Sequence, residues 1–185
     1  PPCADALVKA APARVVVAMN DPNPLVAGKG IAKLRAAGIN VATSVCAKQA
    51  LAVNPGFVAR MTRKTPWLWL KSAASLDGQT ALKNGASQWI TGPQARADGH
   101  HWRARSCVVL SGLGTVRADN PQLNVRGVPT TRQPIKAIID TRLEIDENAR
   151  LLDGSKAWVF TCKDDAQKTA RLADRNAQVV VMPEC

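Results

Sequence analysis

The segment spanning residues 71–126 constrains the fold of this chain more than any other. It reads KSAASLDGQTALKNGASQWITGPQARADGHHWRARSCVVLSGLGTVRADNPQLNVR. The pattern predicts a strand, a polar loop, a capped helix, a second strand and an acidic turn. Hydroxyl groups, arginines and a carboxylate recur where strands end and helices begin, which is where α/β folds bind their ligands. The segment therefore predicts an α/β fold with a ligand site in its loops.

The charge of the chain is strongly positive, and it limits the classes of partner. The 185 residues carry a formal net charge of +11, which could serve nucleic acid, anionic small molecules or solubility. Aromatic residues make up only 4% and the basic residues are scattered, so the stacking platforms of a single-strand binder are missing. We expect no nucleic-acid partner.

The sequence predicts neither a membrane span nor a secretion signal. No apolar run approaches the roughly 20 residues that span a bilayer, and the opening Pro-Pro does not resemble a secretory signal. The five cysteines are widely spaced without a C-x-x-C motif, a pattern that favours reduced thiols. We expect a cytoplasmic protein with no membrane partner.

The first third of the chain alternates strand and helix. Strands are predicted at 14–19 and 39–45, and helices at 25–37 and 47–63, the second interrupted near Pro55. This β-α-β-α order favours a parallel sheet. The polar, basic stretch MTRKTP that follows suggests a domain boundary, which we place so that the domains are residues 1–64 and 65–185.

The second part also alternates, with tight turns between its elements. Thr91 is the expected N-cap of a helix that runs to Arg105, with Gln94 completing a capping box. Turns are predicted at 75–78 and at Asn84-Gly85. Further strands are expected at 67–73, 107–112, 135–140, 157–161 and 178–182, and a further helix at 164–175.

Several polar side chains allow a functional and a structural interpretation. Ser87 precedes a helix start and could bind phosphate, whereas Trp89 could pack on a ring or fill the core. Arg103 and Arg126 would form a phosphate cradle if they converged with Ser87, although a lone arginine is usually a solvated charge. Asp119 could form a turn or act at a reacting centre.

One nucleotide-binding fold is not supported. The stretch GLGTVRADNPQL contains a G-x-G, but Arg117 stands where the third glycine of the G-x-G-x-x-G fingerprint is required. The glycines therefore do not predict a Rossmann domain.

The order of the motifs resembles a known family. KSAASLDGQTA, SQWITGPQAR, a strand and TVRADNPQLNVR follow one another as in the reductase half of the bifunctional riboflavin-biosynthesis deaminase-reductases. Upstream, PPCADAL and ARVVVAMNDPNPLVAGKGIAKLRAAGI resemble the end of the deaminase half. The resemblance implies the C-terminal remnant of a cytidine-deaminase-like domain followed by an incomplete dihydrofolate-reductase-like domain, which makes the chain an internal piece of such an enzyme.

The resemblance also implies an activity and the residues that serve it. The reaction is the NADPH-dependent reduction of 5-amino-6-(5-phosphoribosylamino)uracil, a phosphoribosyl-pyrimidine, to its ribitylamino product. Asp119 is implied as the catalytic residue. Contacts to NADPH are implied for Ala73, Trp89, Thr115, Asp119 and Thr141, and contacts to substrate for Lys71, Ser87, Arg103, Leu123 and Arg126.

Zinc is implied only for an intact parent enzyme, where it would serve the pyrimidine deaminase step. Cys3 resembles the last zinc-binding cysteine, but a catalytic zinc needs three protein ligands, and the two histidines, His100 and His101, lie in the other domain. We expect an incomplete metal site and an inactive or weakly active chain. Two alternatives stay open: a non-catalytic fragment and a basic, nucleic-acid-directed deaminase relative. A homo-oligomeric parent also stays open.

Overall fold

A computed structural model of the chain describes residues 2–183, and the chain divides after Leu70 into two compact units. The division falls a few residues beyond the boundary expected between residues 64 and 65. Each unit contains its own parallel sheet, in agreement with the predicted α/β class.

The first unit has a two-stranded sheet with helices before and after each strand. The two strands run parallel, with Arg14 opposite Asn40. Among the described residues its elements are α1 (Cys3–Ala10), β1 (Arg14–Val16), α2 (Lys29–Ala36), β2 (Asn40–Ala42), α3 (Ala47–Val53) and α4 (Pro55–Arg63). The predicted break in the last helix is confirmed, because Pro55 starts α4 in the first-turn position that proline tolerates.

The second unit is built on a four-stranded parallel sheet in the order β3-β4-β5-β6. The strands predicted from residue 107 onward are confirmed, and so is the last helix. The elements are α5 (Pro93–Arg105), β3 (Val108–Gly112), α6 (Leu113–Asp119), β4 (Ile135–Ile139), a short 3-10 helix (Arg150–Leu152), β5 (Ala157–Thr161), α7 (Ala166–Asp174) and β6 (Ala177–Val181).

The core of the second unit lies on one face of this sheet. Ile138 and Val159 from the central strands pack with Leu172 of α7, and all three are fully buried. A charged residue is buried beside them. The Nζ of Lys136 donates to the carbonyls of Leu151 and Asp153, while its burial lowers the pKa of the amine.

The strand expected at 67–73 is wrong. No described strand pairs with this stretch, and a strand needs a ladder partner for its backbone groups. Within the first unit, Trp67 and Trp69 instead line an apolar groove of about 410 Å³ beside α3 and α4. The guanidinium of Arg63 lies 5.2 Å from the ring centroid of Trp67.

Two local predictions around α5 and α6 are also wrong. Proline fixes its own φ and restricts the residue before it to extended backbone. Helix α5 therefore begins at Pro93, and Gly92, not Thr91, is its N-cap, with no side-chain capping bond. The stretch expected as an acidic turn forms α6, because Val116 can bury one face of a short helix that ends at Asn120 in the left-handed region.

Both predicted turns are confirmed: Gly78 N–H donates to Ser75 O at 2.9 Å, and Leu82 N–H donates to Ala86 O at 2.8 Å.

Cys3, Cys46 and Cys107 are free thiols, but the expectation of reduced thiols is wrong for Cys162, which is disulfide-bonded.

None of the helices within residues 2–183 is both long and apolar enough to cross a membrane.

Candidate functional site

Two arginines predicted to share a phosphate lie together in the second unit. Arg103, near the end of α5, donates from Nη1 to the carbonyl of Asn124 at 3.2 Å. One turn earlier on the same helix, Nδ1 of His100 accepts the main-chain N–H of Arg126 at 3.2 Å. Helix α5 therefore holds the irregular segment 124–126 through two side chains, and we call His100, Arg103 and Arg126 the basic cluster.

The same segment is also held from its other side. The N–H of Val125 donates to Gln133 Oε1 at 2.7 Å, and Gln133 Nε2 donates back to Val125 O at 3.2 Å. The side-chain amide of Gln133 thus satisfies both backbone groups of Val125, as a neighbouring strand would. The Arg126 guanidinium donates to Gln122 Oε1 at 3.0 Å and to Asn124 Oδ1 at 2.6 Å. These bonds fix where the Arg126 charge stands.

The basic cluster is electrostatically unbalanced. Burial lowers the pKa of Arg103, and the nearby charge of Arg126 lowers it further. Burial, followed by the charges of Arg103 and Arg126, lowers the pKa of His100. Within residues 2–183, none of the ion pairs involves either arginine. A bound anion would supply the missing negative charge.

Ser87 was predicted to join these arginines. It is half-buried in the loop before α5, and no hydrogen bond links it to Arg103 or Arg126 among the described residues. The structure thus brings two of the three predicted phosphate ligands together, and the role of Ser87 stays a prediction.

Trp89 does not fill the core. Its side chain is 70% exposed, and the guanidinium of Arg96 stacks over it at 4.3 Å from the ring centroid. Arg96 also donates to the carbonyl of Thr91, which fixes the stack against the start of α5. Arg96 is not among the residues singled out from the sequence. The available signal was a tryptophan near a helix start with an arginine one turn into the helix.

Thr141 lies at an open cleft of about 720 Å³ at the carboxyl ends of β4 and β5. The cleft also contains three cations and one carboxylate, from Arg142, Lys163, Lys168 and Glu144. Glu144 binds Arg117 at 2.8 Å, and this hydrogen bond is the main cause of the lowered pKa of its carboxyl.

The loop that forms this cleft depends on a residue that sequence reasoning missed. Asp140 is buried, and its two carboxylate oxygens accept the N–H groups of Glu144 at 3.0 Å and Ile145 at 2.7 Å. An Asp at the end of a buried strand was the available signal, since Asp commonly accepts hydrogen bonds from the backbone of the following turn.

The remaining predicted contacts lie in different environments. Thr115 and Asp119 are exposed on α6, Lys71 is exposed, and Ala73 is half-buried. Leu123 is only 7% exposed and belongs to the hydrophobic core, with a φ of 52°. Its side chain is therefore occupied by packing, and only its backbone is left to touch a substrate.

Cys3 does not sit in a metal site. It is exposed at the start of α1, and within residues 2–183 no group of three or more His, Cys, Asp or Glu side chains could hold a metal ion. The residues present do not fit a catalytic zinc, which needs three protein ligands.

Comparison with known proteins identifies the family. Residues 66–183 match the model of the family described as the RibD C-terminal domain. The chain belongs to this family. The riboflavin biosynthesis proteins RibD of Aquifex aeolicus and Bacillus amyloliquefaciens are 40% and 43% identical to it, each over 98% of the chain. Those alignments cover 51% and 50% of the two proteins, so the chain spans about half the length of the curated relatives it matches.

Solved structures of the RibD family share the fold. Acinetobacter baumannii RibD, form 1, matches with a TM-score of 0.88 at 42% identity, over 100% of this chain and 52% of that one. A Thermotoga maritima protein matches with a TM-score of 0.88 at 32% identity, over 99% and 51%. It is described as a diaminohydroxyphosphoribosylaminopyrimidine deaminase/5-amino-6-(5-phosphoribosylamino)uracil reductase. The resemblance read from the motifs is therefore confirmed, as is the α/β class.

Proposed function

We propose that the second unit is the reductase region of a riboflavin-biosynthesis enzyme, and that it binds 5-amino-6-(5-phosphoribosylamino)uracil for reduction with NADPH. The observation that carries this proposal is the pairing of Arg103 with Arg126 in a domain of the RibD family. Guanidinium groups bind phosphate oxygens through two parallel hydrogen bonds, so two of them without a carboxylate suit a phosphorylated sugar.

The substrate contacts follow from this placement. Arg103 and Arg126 bind the phosphate, and Ser87 and Lys71 add a hydroxyl and a charge along the substrate. Leu123 contributes its backbone. Together these residues hold the sugar in one orientation, which removes much of the entropic cost of the reaction.

The side chains around Thr141 and Trp89 also suit a phosphorylated dinucleotide. The cleft at Thr141 is rich in cations, and Trp89 presents an exposed ring. Thr115 and Ala73 are the other proposed contacts. NADPH, when bound, supplies the hydride that reduces ribose C1 while the sugar ring opens. Asp119 is proposed to hydrogen-bond the sugar hydroxyls or to move the proton that accompanies ring opening.

The first unit is proposed to be the C-terminal part of a cytidine-deaminase-like domain, and the second an incomplete dihydrofolate-reductase-like domain. A zinc-dependent deaminase step and a homo-oligomer would then belong to the intact enzyme. We propose that the chain by itself is inactive or weakly active, because it spans about half of its relatives.

The test is the binding of ribose 5-phosphate to the full chain, measured by titration calorimetry. Arg103→Ala and Arg126→Ala should each weaken binding at least about tenfold, because each removes a charged hydrogen-bonding group from the phosphate. Arg105→Ala is the matched control, since Arg105 is exposed on the same helix. Unchanged binding in both arginine variants would refute the proposed phosphate site.

A further inference from the structure

His100 is the one member of the basic cluster that has no assigned part in phosphate binding. It lies on α5 one turn before Arg103, and its ring nitrogen Nδ1 faces the main-chain N–H of Arg126 at 3.2 Å. The second histidine, His101, is exposed on the same helix. The two neighbours therefore differ in environment, although the sequence presents them as a pair.

The hydrogen bond fixes the chemical form of His100. An imidazole nitrogen accepts a hydrogen bond only when it carries no hydrogen, so Nδ1 is bare and the single hydrogen sits on Nε2. A protonated imidazole would place a second N–H against the N–H of Arg126. It would also add a third positive charge beside Arg103 and Arg126, the charged groups that face His100 from its own helix and from segment 124–126.

We propose that His100 is a positioning residue for the anion site, whose neutral imidazole holds segment 124–126 so that Arg103 and Arg126 can share one anion. The inference deepens the proposed function and rests on it, since it assumes that the two arginines bind the phosphate of the substrate. His100 itself does not contact the anion.

The other anchors of the segment explain why His100 matters. Asn124 is held through its carbonyl by Arg103, and Val125 through both backbone groups by Gln133. The Arg126 backbone is held by His100, and this anchor alone among the three titrates near neutral pH. Burial and the two arginines lower the pKa of His100, and they outweigh a backbone hydrogen bond at Asn124 that raises it, so the accepting form is preserved at neutral pH. The anion site is thereby coupled to pH.

The experiment measures sulfate binding to the full chain by calorimetry between about pH 5 and pH 8. Sulfate serves as the probe because it remains a dianion throughout this range, whereas phosphate itself titrates. Four proteins are compared: the unsubstituted chain, His100→Asn, His100→Leu and His101→Leu. Asparagine can place an oxygen acceptor where Nδ1 stands but cannot titrate, leucine removes the acceptor, and His101→Leu is the matched control.

The expected results are specific. At pH 7.5 His100→Leu should weaken sulfate binding about tenfold, the effect of losing one hydrogen bond that orients a charged ligand site. His100→Asn and His101→Leu should stay within about twofold of the unsubstituted chain. Affinity should fall on acidification in the unsubstituted chain and in His101→Leu, and it should stay flat in His100→Asn.

Two outcomes would overturn the proposal. Affinity that rises on acidification, but not in His100→Asn, would make His100 a direct cationic ligand. Binding by His100→Leu equal to that of the unsubstituted chain would show that the anchor is dispensable. Arg103→Ala separates this failure from failure of the proposed function: if it leaves sulfate binding unchanged, the phosphate site itself is wrong. Circular dichroism of each variant verifies that it is folded.

Discussion

Arg103 and Arg126 stand close together: burial lowers the pKa of the Arg103 guanidinium, and the charge of Arg126 lowers it further. They belong to different segments, and a hydrogen bond from Arg103 to the carbonyl of Asn124 holds those segments together. Like charges repel, and burial of Arg103 adds a desolvation cost. An arrangement that opposes its own stability in this way is typical of a binding site.

The first prediction concerns substrate affinity. In a full-length enzyme that contains this chain, Arg126→Ala should mainly raise KM for the phosphoribosyl substrate, with a loss in kcat/KM worth about 2–4 kcal/mol. Steady-state kinetics measures this. A normal KM with a reduced kcat would place Arg126 at the reacting carbon and not at the phosphate.

The second prediction concerns Asp119. Asp119→Asn keeps the shape of the side chain but removes its charge, so kcat of the same full-length enzyme should fall by about 10²–10⁴, the range for a general acid–base residue. NADPH affinity should change much less. A near-normal kcat with weakened NADPH binding would mean that Asp119 contacts the cofactor and takes no part in proton transfer.

The third prediction concerns the acid stability of the chain. Because the pKa of His100 is lower in the folded protein than its usual 6.5, the unfolded chain binds the proton more readily. The contribution of His100 is therefore fully present above about pH 6.5 and is lost as the pH falls through the folded pKa. Urea denaturation at several pH values should show a smaller acid loss in His100→Asn than in His101→Asn. Equal losses in the two variants would contradict the prediction.

The fourth prediction concerns the buried lysine. Lys136→Met should lower the free energy of unfolding by about 1–3 kcal/mol, because the carbonyls of Leu151 and Asp153 lose their donor. Lys83→Met, on an exposed loop residue, is the control. Denaturant unfolding monitored by circular dichroism gives both values, and an unchanged stability of Lys136→Met would show that water replaces the amine.

Much of the fold could be predicted because the signals were local. The apolar runs that became β3, β4, β5 and β6 are β-branched and bounded by polar residues, and Pro55 marked the break between two helices. The strand expected at 67–73 failed because an apolar run cannot reveal its partner. Trp67 and Trp69 instead line an apolar groove beside α3 and α4.

The candidate site was only partly predictable for the same reason. Arg103 and Arg126 were singled out as phosphate ligands, and the structure brings them together. His100 accepts a hydrogen bond from Arg126, and Gln133 forms two with Val125. These contacts join distant segments, and no spacing in the sequence encodes them. The substrate contact expected of Leu123 stays a prediction, and only its backbone is left to make it because its side chain belongs to the core.

The most direct test of the account is the reductase reaction itself. A full-length enzyme that contains this chain should oxidise NADPH, followed by its ultraviolet absorbance, only when 5-amino-6-(5-phosphoribosylamino)uracil is present, with one NADPH consumed per substrate reduced. Replacing both Arg103 and Arg126 with alanine should abolish this consumption at substrate concentrations that saturate the unsubstituted enzyme. Substrate-dependent NADPH oxidation that persists undiminished in the double variant would contradict the account.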